Sequence, residues 1–148
     1  HVSLAPPLTV SSRARHTANG LEIAAAQASL DELPTSGFHH KFDALSDAFL
    51  LGLAKVMRDA GLPAYVVGLG PLMQVWFAKE EIHNYRDAER HADQEIFRRW
   101  WHGMLSRGVL FHPGAYENLF VSTAHTHADV AATLEAARQV AAELSQTV

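Results

Sequence analysis

The chain contains no cysteine among its 148 residues, which excludes disulfide bonds and zinc sites with cysteine ligands. This absence is typical of a reducing cytosol, so the sequence predicts a cytoplasmic location. Long apolar runs are also missing, and none approaches the roughly 18–20 residues that a membrane-spanning helix needs. The N-terminus shows no signal-peptide pattern and begins with His1 rather than Met, which is typical of a fragment or a processed chain.

The sequence also lacks a large excess of charge of one sign. The formal net charge is −4, and no block of five like charges occurs, which argues against a nucleic-acid partner. Arg98 and Arg99 beside Trp100 and Trp101 resemble an aromatic and basic patch. On a helix, however, Trp100 falls on the apolar stripe and the arginines lie on the other side. This favours a buried Trp100 and solvated arginines over a nucleic-acid-binding patch.

Apolar spacing and turn residues predict four helices and four short strands. The helices are expected at residues 20–33, from the Thr35 and Ser36 caps to residue 60, at 87–107 and at 127–145, the last capped by Thr126 with Asp129. The strands are expected at residues 64–70, 72–78, 109–111 and 119–122. The predicted fold class is α+β, with two layers in which a small antiparallel sheet is covered by helices. Residues 1–16 are expected to form an extended or disordered arm, residues 17–60 a helical segment and residues 61–148 the α+β domain.

No motif in the sequence predicts a complete metal, phosphate or catalytic site. Ten histidines invite a metal site, but only His125 and His127 could converge, and Thr126 between them suits a helix cap better. The pair Gly68 and Gly70 precedes a strand rather than a helix, so it predicts a turn and not a phosphate site. No Gly-x-Ser-x-Gly nucleophile elbow occurs. From the residues alone, the chain is an α+β domain without a catalytic centre of its own.

Several stretches resemble class III pyridoxal-phosphate-dependent aminotransferases, and among them most closely the glutamate-1-semialdehyde aminomutases. Residues 84–88 read N-Y-R-D-A, similar to the family's N-Y-x-D-A. Residues 97–109 read F-R-R-W-W-H-G-M-L-S-R-G-V, similar to F-x-x-F-F-H-x-M-L-x-R-G-V. Residues 112–126 resemble the P-S-x-F-E-x-x-F-[LV]-S-x-A-H-T loop, with Gly114 in place of the serine. The resemblance is dense from residue 64 to residue 144.

The resemblance implies the C-terminal small domain of a fold type I enzyme whose cofactor is pyridoxal 5'-phosphate. It implies a substrate-facing edge at His112, Tyr116 and Glu117, and Thr17 as a contact to the cofactor phosphate of a neighbouring subunit in a homodimer. Amino-acid or amino-ketone molecules would be the substrates. The Schiff-base lysine of the family lies in a large domain, and Lys41, Lys55 and Lys79 do not match its motif. We therefore expect this chain to need a large domain or companion chain, to bind the cofactor without a covalent bond if at all, and not to transaminate alone.

Two other hypotheses remain open from the sequence. The chain could be a non-catalytic binding or assembly module that retains the small-domain fold, with an apolar face available for a partner. It could also be a histidine-rich metal-binding protein, in which case zinc would stabilise the fold.

Overall fold

The computed structural model describes residues 20–33 and 37–147. Within them lie five helices and three strands, in the order α1 (Gly20–Glu32), α2 (Phe38–Asp59), β1 (Ala64–Leu69), β2 (Leu72–Phe77), α3 (Tyr85–His91), α4 (Gln94–Leu105), β3 (Leu119–Phe120) and α5 (His127–Ser145).

The chain divides into two compact units, residues 1–39 and residues 40–148. In the first unit, α1 carries no buried residue. The second unit contains the sheet, α3, α4, α5 and nearly all of α2. The boundary predicted between the helical segment of residues 17–60 and the α+β domain of residues 61–148 stays a prediction.

The sheet is antiparallel, with the strand order β1-β2-β3. Gly70 has φ of 55° in the turn between β1 and β2, a conformation that glycine adopts at little cost. Because side chains alternate along a strand, Met73, Val75 and Phe77 share one face of β2, and all three are buried. That face packs against helices, which confirms the predicted two-layer α+β fold.

The core of the second unit is centred on Trp100, which is 1% exposed and whose ring centroid lies 5.9 Å from that of Phe77. This contact joins α4 to β2. The buried face of α2 and the Ala-rich face of α5 complete the same apolar cluster; their buried members are Leu45, Phe49, Leu53, Val56, Met57, Val130, Ala136, Ala137, Val140, Ala141 and Leu144. The predicted strand pair β1–β2 therefore packs against α4 through β2.

The single long helix predicted for residues 87–107 is wrong, because the structure has α3 and α4 with a break at Ala92 and Asp93. The Asp93 carboxylate accepts hydrogen bonds from the backbone N–H groups of Glu95 and Ile96 and so caps α4. The Asp93 N–H donates to the carbonyl of Phe77 at 2.7 Å. This bond to β2 turns the chain between the helices.

The predicted strand at residues 109–111 is also wrong. Gly108 ends α4 with φ of 80°, and the Val109 N–H donates back to the carbonyl of Met104. The carbonyl of Phe111 accepts a hydrogen bond from the Trp101 indole at 2.9 Å instead of from a neighbouring strand. The strand predicted at residues 119–122 exists but is shorter, because the Ser122 N–H donates to the His125 ring rather than to β2.

The last helix, α5, begins and ends where the sequence predicts. Its capping box is complete: the Thr126 side chain accepts from the Asp129 N–H, and the Asp129 carboxylate accepts from the Thr126 N–H at 2.8 Å.

Candidate substrate-facing groove

A groove of about 420 Å³ lies in the second unit, where the segment after α4 meets β3 and the start of α5. Eight of its fourteen lining residues are apolar and six are polar, and a largely apolar cleft that presents a limited number of polar groups is typical of a small-molecule site. The apolar lining consists of Phe49, Val109, Leu110, Phe111, Leu119, Phe120, Val121 and Val130. The polar lining consists of His112, Glu117, Asn118, His125, Asp129 and Thr133.

A tight turn brings His112 and Glu117 to this groove. The His112 ring accepts a hydrogen bond at Nδ1 from the Gly114 N–H at 3.0 Å, which leaves Nε2 as the ring's N–H donor. The Glu117 N–H donates to the Gly114 carbonyl at 3.2 Å. Both side chains are exposed, so a molecule in the groove can contact an imidazole N–H donor and a carboxylate acceptor.

Gly114 is enclosed by the two side chains it separates. A Cβ at this position would lie 3.0 Å from His112 Nδ1 and 3.2 Å from Glu117 Cγ. The serine that the family pattern has here would therefore require His112 or Glu117 to move by a few tenths of an ångström. The glycine leaves room for both side chains beside the turn.

Three side chains from other elements hold this turn in place. The Trp101 indole N–H donates to the Phe111 carbonyl at 2.9 Å. The Gln74 amide donates to the Ala115 carbonyl at 2.7 Å, and the Gln94 amide donates to the Tyr116 hydroxyl at 2.8 Å. The turn is thus fixed by α4 at its start and by β2 and α4 at its middle.

Tyr116 does not line the groove. Its ring packs against Trp76 and Tyr85, with centroid distances of 6.1 and 5.9 Å. Of the three substrate-facing residues predicted from the sequence, the structure brings His112 and Glu117 together and places Tyr116 in this aromatic cluster. Thr17, the predicted contact to the cofactor phosphate, lies outside the described residues.

The sequence did not point to His125 and Asp129 as groove residues. The Asp129 carboxylate accepts a hydrogen bond from the Thr126 hydroxyl, which has the largest effect, and another from the Thr126 backbone N–H. Both bonds stabilise the ionised form and lower the pKa of Asp129 below its usual value. Asp129 is therefore ionised at neutral pH and contributes a carboxylate to the groove lining. The capping-box motif predicts where α5 begins, but the position of that helix end against β3 depends on tertiary packing.

The described side chains do not fit a covalent anchor for pyridoxal phosphate. An imine-forming lysine is desolvated beside the cofactor ring. Lys55 is exposed and pairs with Asp59 on α2, and Lys79 is exposed after β2. The side chain of Lys41 lies outside the description, and no lysine lines the groove among the described residues. The groove lining offers imidazole, carboxylate and apolar groups to a bound molecule.

Among residues 20–33 and 37–147, no group of three or more histidine, aspartate or glutamate side chains is arranged to hold a metal ion. No helix in the same residues has the length and apolarity required to cross a membrane.

The fold is shared with transaminases. An omega-transaminase from Sphaerobacter thermophilus matches 87% of this chain with a TM-score of 0.70 and 19% sequence identity, over 29% of the transaminase chain. At this level of identity the match shows the fold.

The curated relatives of the chain include glutamate-1-semialdehyde 2,1-aminomutases. The protein from Desulfatibacillum aliphaticivorans is 35% identical over 126 residues, and one from Thermus thermophilus is 36% identical over 122 residues. These alignments cover 85% and 82% of this chain. No protein-family model matches.

The resemblance to the aminomutases predicted from the motifs is thereby confirmed: over most of its length, this chain is related to glutamate-1-semialdehyde 2,1-aminomutases. The chain spans a little under a third of the length of these relatives, 29% and 28%.

Proposed function

We propose that this chain forms one wall and part of the lid of the substrate pocket in a pyridoxal-phosphate-dependent aminotransferase or aminomutase. The observation that carries the proposal is the turn at residues 112–117, where an aminomutase-like motif places His112 and Glu117 on one groove. The cofactor supplies the electron sink that amino transfer needs. We assign the cofactor anchor to a large domain or companion chain, so this chain alone does not transaminate.

In the proposed pocket, the residues of this chain bind and orient the substrate. The Glu117 carboxylate accepts hydrogen bonds from the substrate's amino group, and its charge is favourable for an ammonium ion. The His112 Nε2–H donates to a substrate oxygen. The apolar walls around them displace water from the remainder of the molecule, which strengthens both polar contacts.

The open face of the sheet supports the proposal of a large partner. By strand register, Val67, Leu69, Leu72 and Phe120 share the face opposite the helices. Leu69 is 85% exposed and Phe120 is 69% exposed. Neighbouring apolar side chains that are exposed on a sheet face are typical of an association surface. We propose that the large domain covers this face, that the intact enzyme is a cytoplasmic homodimer, and that Thr17 contacts the cofactor phosphate of the neighbouring subunit.

A chimera tests the proposal. This chain would replace the matching stretch of the Thermus thermophilus aminomutase, and conversion of glutamate-1-semialdehyde would be measured. We expect the chimera to be active and Glu117→Gln to lower kcat/KM roughly 10- to 100-fold, because a hydrogen bond to a charged group contributes about 1.5–3 kcal/mol. The matched control is Glu135→Gln on α5, whose exposed carboxylate pairs with Arg138 and does not line the groove. This control should change the activity less than twofold.

The second candidate function is a non-catalytic assembly module, which the same open apolar face favours. The chimera separates the two. A chimera that elutes as a folded species of the parent enzyme's size and does not convert the substrate would favour the assembly module. Equal activity of Glu117→Gln and Glu135→Gln would show that Glu117 does not contact the substrate.

A further inference from the structure

We propose that Gln74 is a positioning residue that fixes the turn at residues 112–117 and thereby sets where His112 and Glu117 stand in the groove. The inference rests on the proposed function of that turn, but it concerns a residue of β2 that neither the motifs nor the groove lining includes.

Gln74 occupies an unusual place for a polar side chain. It lies on the middle of β2 and, by register, on the open face of the sheet between Leu72 and Trp76. It is nevertheless only 5% exposed. The Gln74 Nε2 group donates to the carbonyl of Ala115, a residue 41 positions further along the chain, at 2.7 Å. The turn is therefore attached to the sheet at this point.

The amide of Gln74 is only half satisfied. Among residues 20–33 and 37–147, its Oε1 is a buried polar atom without a hydrogen-bond partner. Burying an unpaired acceptor destabilises a fold, so an apolar side chain of the same length would be the more stable choice for a strand alone. The benefit of a glutamine at this position lies in the bond that it makes to the turn.

The geometry of the turn makes that bond decisive. Ala115 lies between Gly114, which contacts His112, and Glu117, whose N–H donates to the Gly114 carbonyl. The Trp101 bond holds Phe111 before the turn, and the Gln94 bond holds the Tyr116 hydroxyl at the end of a long side chain. The Gln74 bond thus fixes the backbone of the turn between its two functional side chains.

The test is ¹⁵N relaxation of the chain, read at the backbone amides of residues 114–117. In the unmodified protein we expect order parameters near those of rigid backbone, about 0.85. Gln74→Met keeps the length and loses the donor, so we expect these values to fall below about 0.6 while those of Val75 and Phe77 are unchanged. The matched control, Gln139→Met on α5, should leave the turn rigid.

A second variant keeps the test decisive if Gln74→Met does not fold. In Gln74→Glu, the carboxyl can donate to the Ala115 carbonyl while it is protonated at a lower pH of about 5, and it cannot once it is ionised at a higher pH, above the pKa that burial raises. We expect a rigid turn at the lower pH and a mobile turn at the higher pH. The turn carries three other titratable groups in every variant, His112, Tyr116 and Glu117. The unmodified protein is therefore measured at both pH values, to show how far these groups alone change the order parameters.

Unchanged order parameters in Gln74→Met, or a turn in Gln74→Glu that is equally rigid at both pH values, would overturn the inference. The proposed function is read separately. If the turn becomes mobile but Gln74→Met in the chimera leaves kcat/KM unchanged, the positioning role stands and the role of the turn in substrate binding fails.

Discussion

Replacing Trp100 with alanine is expected to lower the free energy of unfolding by about 3–5 kcal/mol. Trp100 is 1% exposed and is the largest fully buried side chain of the described chain. It lies against Phe77 of β2, so its removal leaves a cavity between the helix layer and the sheet. Because small domains are stable by about 5–15 kcal/mol, the loss would bring this one close to the unfolding threshold.

Urea denaturation followed by circular dichroism would measure this effect without depending on tryptophan fluorescence. Leu69→Ala is the control, because its side chain is exposed in the β1–β2 turn region, and we expect it to change the free energy by less than about 0.5 kcal/mol. A loss below about 1 kcal/mol for Trp100→Ala would mean that Trp100 is not at the centre of the core.

Gly103→Ala is expected to destabilise the protein by about 1–3 kcal/mol, although alanine favours helices over glycine by about 1 kcal/mol. Gly103 lies where α4 crosses α5, and an added Cβ would be 2.6 Å from Val140 Cγ1 and 3.0 Å from Val140 Cγ2. Val140 is 1% exposed, and its branched side chain has little rotamer freedom in a helix. The two helices must therefore move apart.

The control for this substitution is Gly20→Ala at the start of α1, where an added Cβ meets nothing within 4 Å. The same denaturation experiment should show no destabilisation there. Combining Gly103→Ala with Val140→Ala should recover part of the loss, because the second change removes the two methyl groups that collide. A stabilised Gly103→Ala would show that α4 and α5 do not approach as closely as described.

The sequence predicted the elements whose ends are determined locally. The Thr126 and Asp129 capping box marks the start of α5, and Gly70 and Pro71 mark the turn between β1 and β2. The errors concern segments whose structure depends on distant partners. Asp93 breaks the helix because its N–H bonds to Phe77, and residues 109–111 do not form a strand because Phe111 bonds to the Trp101 side chain.

The candidate site shows the same division. The resemblance pointed to one turn, and the local hydrogen bonds of that turn place His112 and Glu117 on a common groove. The direction of Tyr116 is set by Trp76 and Tyr85 on other elements. The contributions of Asp129 and Gln74 could not be predicted, because they require the start of α5 to lie at the groove and β2 to lie under the turn.

The central claim is that these residues contact the substrate while the covalent cofactor anchor belongs to another part of the enzyme. Its most direct test uses the chain by itself, incubated with excess pyridoxal phosphate, reduced with borohydride and digested for mass spectrometry. Labelling should be weak, spread over Lys41, Lys55 and Lys79, and no stronger than in the urea-denatured chain. Stoichiometric labelling of one of these lysines, lost on denaturation, would contradict the account.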